Sequence, residues 1–297
     1  MKKMRLPLLI ALIVAVIGII FGSFFDLQLS TAIASPNNMF ALIVSAIGPT
    51  IGFSGVAIMG GGFIAFAIKG KYPIGLKILF YVLAAACYGV AIFYPGPEYF
   101  GINGFYGAAP EWVGYIIAFF PATGALIGGY FLLKDWQNKN LWIVFVIIIG
   151  LLLLALLATI PTLKDNMHRP RFRTVSTGVV EFHNWWQPCT NYKELMETHN
   201  IESDNFKSYP SGHTAEASIL FVIITFLPLA HHKFDKLQLP LFIGAGALVL
   251  LVAFARILAA AHYLSDVATG ATVVLIFLFI ANEVVSRIKA LQLENNQ

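Results

Sequence analysis

The chain has 297 residues, 58% of them hydrophobic and only 11% charged, with a formal net charge of +4. Soluble domains carry about 25% charged residues, so this composition excludes an ordinary soluble globule and indicates an integral membrane protein. The small positive balance makes no case for nucleic acid as a partner, because where the basic residues sit matters more than their sum.

Eight apolar segments follow in chain order, at roughly 6–23, 39–68, 75–94, 113–133, 141–161, 214–230, 240–258 and 264–286. Most are near the ~20 residues that a helix needs to cross a bilayer. The expected fold is therefore all-α, a polytopic transmembrane helical bundle of about six to eight spans. The first segment, behind Met1-Lys2-Lys3-Met4-Arg5, is too long an apolar run for a signal peptide and reads as a retained anchor. The second holds Pro49 and the run Gly60-Gly61-Gly62, which predicts a kink or a re-entrant path. In the fourth, Gly124 and Gly128 have the spacing of a close helix-packing face. Cys87 lies in an apolar run and Cys189 in a polar stretch, so no disulfide and no Cys/His zinc site is expected.

Lysine and arginine set the orientation. With connections numbered alternately, one side receives Lys2, Lys3, Arg5, Lys69, Lys71, Lys77, Lys134, Lys139, Lys233, Lys236, Arg287 and Lys289. Loops 24–38 and 95–112 on the other side contain no lysine or arginine. The positive-inside rule makes the first side cytoplasmic. The basic residues on the outer side are Lys164, Arg169, Arg171, Arg173, Lys193, Lys207 and Arg256, and most of them lie in or beside three short motifs. One long polar stretch, 172–209, joins the fifth and sixth segments on that side. Its length predicts a functional loop or lid, with Trp185 and Trp186 at the lipid interface.

The first motif, Lys164 with Arg169-Pro170-Arg171, closes the fifth segment. Arginine offers phosphate a planar fork and lysine a point charge, although snorkelling to the interface would also explain basic residues there. The second, Pro210-Ser211-Gly212-His213, precedes the sixth segment. Proline suits a first helical turn, and the N–H groups of Ser211, Gly212 and His213 would face an anion at the helix start. The third is Arg256, His262 and Asp266. The i, i+4 spacing of His262 and Asp266 would place both on one helix face, where a carboxylate can orient an imidazole. Arg256 would join them only if the chain bends between Ala259 and Ala261. A histidine–aspartate pair alone is more often a structural hydrogen bond, but all three motifs fall at one membrane level.

This set resembles the type 2 phosphatidic acid phosphatase superfamily, which shares its phosphate site with vanadium haloperoxidases. The likeness covers about 141–286: Lys164 to Arg171 matches the first spacing, 210–213 match the second motif, and Arg256, His262 and Asp266 match the third. Phe172 stands where the family has proline, so Arg169 is an alternative to Arg171, and Ala255 replaces a serine. The resemblance implies a metal-independent phosphatase with no cofactor. His262 would be the nucleophile, Asp266 its orienting carboxylate, and His213 the general acid and then base. Lys164, Arg171 (or Arg169), Ser211, Gly212 and Arg256 would hold the phosphate. Glu216 reads as a neighbour, and His183 has no assigned role.

The chain divides on this reading into N-terminal transmembrane segments, 1–140, and a catalytic core, 141–297. The expected substrate is a lipid phosphomonoester or diphosphate of the isoprenyl diphosphate, phosphatidylglycerol phosphate or phosphatidic acid class. It would be met at the outer face of a bacterial plasma membrane, with membrane lipids as the other partners. The alternatives are a catalytically weak lipid-phosphate-binding protein or a phosphotransferase using the same site. A transporter is disfavoured because the ionisable groups fall at segment ends rather than in segment middles.

Overall fold

The computed structural model describes residues 4–100, 108–136 and 140–288. Lys2, Lys3, Lys139 and Lys289, used above for orientation, lie outside the described residues. Among the described residues there is no strand, and eight helical stretches are long and apolar enough to cross a membrane. The N-terminal half supplies α1 (Arg5–Ile33), α2 (Met39–Lys69), α3 (Ile74–Phe93) and α4 (Glu111–Leu133). After α5 (Leu141–Leu153) the chain widens into a π-helical turn, Leu154–Thr159, and continues as α6 (Ile160–Met167). Pro161 gives a reason for the wide turn, because its ring cannot donate to the preceding turn and crowds it. Short helices α7 (Phe172–Val175) and α8 (Tyr192–His199) belong to the outer stretch. Then come α9 (Gly212–Ala217), α10 (Ile219–Phe226), α11 (Gln238–Leu258) and α12 (Leu264–Arg287).

Two boundaries and the path of one helix differ from the sequence reading, and the two boundaries matter for the site. The first helix runs to Ile33 rather than ending near 23, which draws Asp26 and Ser30 into it, both buried. Their polar side chains break the hydropathy pattern but are covered by protein. The fifth stretch extends to Met167, placing Lys164 in its last turn. The second segment is one continuous helix despite Pro49, capped at its start by Asn38, whose side chain accepts from the Ala41 N–H at 3.1 Å.

α2 is the central post, packed against α3, α4, α9 and α11. Its contact with α4 runs through Gly61 and Gly129, where an added Cβ would lie 2.1 Å from Leu126 O and 2.3 Å from Ile58 O. Gly124 and Gly128, the pair expected to pack, meet nothing within 4 Å and face outward. α1 lies along α12 and presents Leu6, Ile10, Ile17 and Phe24 outward. One apolar cluster runs from Met4 and Leu8 through Phe63 and Phe145 to Leu278 and Val285, so both halves of the chain contribute to it.

The outer stretch 172–209 is folded rather than a bare loop. Val180, Cys189 and Phe206 form a small core of their own, with Tyr192 and Leu195 against it. Asp204 ties it down by ion pairs to Arg171 and Arg173 at 3.0 and 3.1 Å. Burial by itself would raise the Asp204 carboxyl pKa, but Arg171 and Arg173 outweigh it and hold the group below the usual range. Trp186 is exposed, whereas Trp185 stacks on Tyr209 and donates to Ser23 Oγ at 2.9 Å, fastening the stretch to α1.

Candidate active site

Four helix ends meet on one face of the bundle. Lys164 is in the last turn of α6, His213 in the first turn of α9, Arg256 in the last turn of α11 and Asp266 in the first turn of α12. Alternating crossings bring these ends to the same side, which is why motifs so far apart in the chain can share one site.

The α11–α12 corner carries the bend that the third motif requires. Ala260 adopts φ +55°, a left-handed conformation that costs a non-glycine residue ~1 kcal/mol or more. The chain reverses there, and Arg256 O accepts from the N–H groups of both Ala261 and His262 at 3.2 Å. α12 begins only at Leu264, so His262 lies on the corner rather than on a helix face shared with Asp266.

This placement changes what holds the imidazole. His262 Nδ1 is 2.6 Å from Ser208 O, whereas the nearer Asp266 oxygen is 3.8 Å away. A carbonyl oxygen can only accept, so Nδ1 carries the proton and Nε2 keeps its lone pair. Asp266 acts on the same corner by accepting from Ser208 Oγ at 2.5 Å and from the Tyr263 N–H at 2.8 Å. Its carboxylate therefore holds both the residue whose carbonyl meets His262 and the start of α12. Burial pushes the His262 pKa well below its usual range. The nearby charges of Arg171, Arg256 and Lys164 push it the same way, against the opposing pull of Asp266.

The helix that carries the second motif begins later than expected. Ser211 is the N-cap of α9, and Pro210 stands before it rather than in the first turn. The Ser211 N–H donates to Asp266 O at 3.0 Å, which leaves the N–H groups of Gly212 and His213 to head the helix. Gly270 makes this approach possible, since a Cβ there would sit 2.3 Å from Ser211 O. Ser211 Oγ lies 3.1 Å from Thr214 Oγ1. His213 is buried, with Arg256 and Arg171 among its charged neighbours.

Of the two arginines left open for the first motif, the structure places only Arg171 beside the histidines. Arg171 is buried and reaches Ala261 O at 3.3 Å, one residue from His262, while Asp204 anchors its other side. Lys164 Nζ donates to Lys207 O at 2.8 Å and is an electrostatic neighbour of Arg171, Arg256 and Asp266. Arg169 instead points into a closed network beneath the corner. It donates from Nε to His183 O at 2.8 Å, from Nη1 to Ser265 Oγ and Asp266 Oδ1 at 2.8 and 2.5 Å, and from Nη2 to Asp26 Oδ2 at 2.9 Å. Its guanidinium also stacks over the Tyr263 ring, 4.2 Å from the centroid.

Two contributors, Glu98 and Ser208, were not read from the sequence, and Glu216 was read only as a neighbour. Glu98 reaches in from the turn after α3, with Oε2 3.3 Å from His213 Nε2, and also lies near Arg256 and Arg171. Glu216 is buried one turn along from His213 with Glu98, Lys164 and Arg256 as charged neighbours. Ser208 supplies a backbone carbonyl, a group no side-chain pattern reveals. Among the described residues no cluster of three or more His, Cys, Asp or Glu is arranged to hold a metal ion.

A family model described as the PAP2 superfamily matches residues 139–289, just over half of the chain and all three motifs. No curated protein and no solved structure matches the chain.

Proposed function

Because this chain belongs to the PAP2 superfamily, a family of phosphatases, we propose that it hydrolyses a lipid phosphomonoester or diphosphate through a phosphohistidine intermediate at the outer face of its membrane. The observation that carries this reading is the corner itself: an imidazole with Nδ1 committed to Ser208 O, surrounded by Lys164, Arg171 and Arg256.

The chemistry follows from these positions. The His262 Nε2 lone pair attacks phosphorus while the bond to the leaving oxygen breaks, and His213 gives that oxygen a proton. His213 then takes a proton from water, and the resulting hydroxide displaces phosphate from His262, restoring both histidines. Lys164, Arg171 and Arg256, with the Ser211 hydroxyl and the N–H groups of Gly212 and His213, stabilise the charge on the transferring group, the main work in phosphoryl transfer. Asp266 keeps Ser208 and the corner in register and stabilises the positive charge that builds on the ring. A lipid substrate suits a site at the ends of membrane helices whose outer faces are apolar. The distribution of lysine and arginine supports a site on the face away from the cytoplasm, and a bacterial plasma membrane is the membrane proposed.

Two outcomes are expected. Arg171→Met lowers kcat/KM by about 10- to 100-fold, the worth of one charge-assisted phosphate contact. Arg169→Met lowers the melting temperature and folded yield as well as activity, because it leaves Asp26 and Asp266 buried without their guanidinium; thermal melts alongside phosphate-release assays separate the two variants. The pH profile gives the second. Activity needs neutral His262, and a depressed proton affinity means the ring stays neutral until the pH falls below the usual histidine range, near ~6.5. The His262-dependent acid limb of kcat/KM therefore lies below that range, and a limb at or above it would contradict the buried, cation-flanked imidazole.

The test of the reading is phosphate release by purified protein in detergent, with chelator, from a panel of lipid phosphates and diphosphates. Release that is equal in wild type and His262→Ala, or that is lost with chelator, would count against it. Transfer of the phosphoryl group to an alcohol acceptor in preference to water would favour a phosphotransferase instead.

A further inference from the structure

An ionisable side chain inside a membrane-spanning helix is costly and marks function more often than not. Asp26 is such a residue: it lies in α1, is 2% exposed, and falls outside the stretch 139–289 that matches the family. Its two oxygens are fully engaged. Oδ1 accepts from the Ser265 N–H at 2.9 Å, and Oδ2 accepts from Arg169 Nη2 at 2.9 Å and from Ser265 Oγ. Gly22, one turn earlier, lets α1 come this close, since a Cβ there would lie 2.7 Å from Ser265 N.

We propose that Asp26 is a positioning residue for the reaction, and that α1 is thereby part of the catalytic unit. The proposal rests on the reading of His262 as nucleophile. The path is short and continuous: Asp26 holds Arg169 and Ser265, Arg169 holds Asp266 Oδ1, Asp266 Oδ2 holds Ser208 Oγ, and Ser208 O holds His262 Nδ1. Geometry supports the same conclusion. Two carboxyl groups, Asp26 and Asp266, enclose one guanidinium and fix it from both sides beneath the corner that carries the ring. Without Asp26, the guanidinium would neutralise Asp266 alone and the second tether on Ser265 would be lost. Small displacements of a reacting group cost rate rather than substrate binding, so the loss should fall on kcat.

The test is rapid-quench measurement of phosphohistidine formation in full-length protein, comparing wild type with Asp26→Asn. Burst amplitude counts folded, competent molecules, and the burst rate constant reports chemistry in each of them. The expected result is a rate constant lowered by about 10- to 100-fold, with KM within about threefold of wild type. A rate constant equal to wild type, whatever the amplitude, overturns the inference and leaves Asp26 a purely structural anchor. Should Asp26→Asn give no folded protein, Ser265→Ala decides, since it removes one hydroxyl from the network and keeps Asp26, Arg169 and Asp266. A burst rate lowered about threefold or more supports the proposal, and an unchanged one overturns it. If wild type itself forms no phosphohistidine, the nucleophile reading fails, which is a different outcome from a wild-type burst that Asp26→Asn leaves untouched.

Discussion

His262→Ala is expected to lower kcat by about four to six orders of magnitude while the protein still folds, since removing a nucleophile abolishes the covalent route. The ring is 1% exposed and its one short hydrogen bond goes to a backbone carbonyl, so truncation leaves Ser208 O without a donor and a small cavity. Together these cost roughly 2–4 kcal/mol of stability, enough to lower a melting temperature but not to erase a bundle with so extended a core. Activity and melting measured on the same preparation separate the two effects. A His262→Ala protein that melts normally and retains more than about one per cent of wild-type kcat would contradict a nucleophilic role.

The second large effect belongs to His213 and depends on the leaving group. His213→Asn should lower kcat by about 10²- to 10⁴-fold on an alkyl phosphate, whose leaving oxygen needs a proton. With an aryl phosphate such as p-nitrophenyl phosphate, the leaving oxygen departs without one. The first step then proceeds, the second lacks its base, and phosphohistidine should accumulate as a burst of nitrophenol followed by slow turnover. Equal losses on both substrates with no burst would assign His213 to phosphate binding alone.

How much of this was legible in the sequence can be judged residue by residue. All eight spans were visible because long apolar runs have few alternatives to a membrane helix. The three motifs were visible because phosphate handling needs Lys, Arg and His, residue types that are scarce in such a chain. Asp26 was not. The polar residues after position 23 look like the start of a loop, and only the packing of α1 on α12, with Ser265 and Arg169 as partners, shows a helix continuing to Ile33. Spacing also suggested a direct Asp266–His262 bond on one helix face. The left-handed Ala260 and the late start of α12 put Ser208 O between them instead. The choice between Arg169 and Arg171 was beyond sequence for the same reason: two residues apart, they point to opposite sides of a short segment, one to Asp26 and Asp266 and the other to Ala261 and Asp204.

The most direct measurement of the central claim is covalent labelling. Purified protein in detergent with excess chelator would be mixed with a ³²P-labelled lipid phosphate, quenched in base, where phosphohistidine survives, and mapped by peptide digestion. The account predicts a base-stable, acid-labile label on the peptide bearing His262, absent from His262→Ala. Phosphate release without any such label, or a label on a different residue, would contradict it.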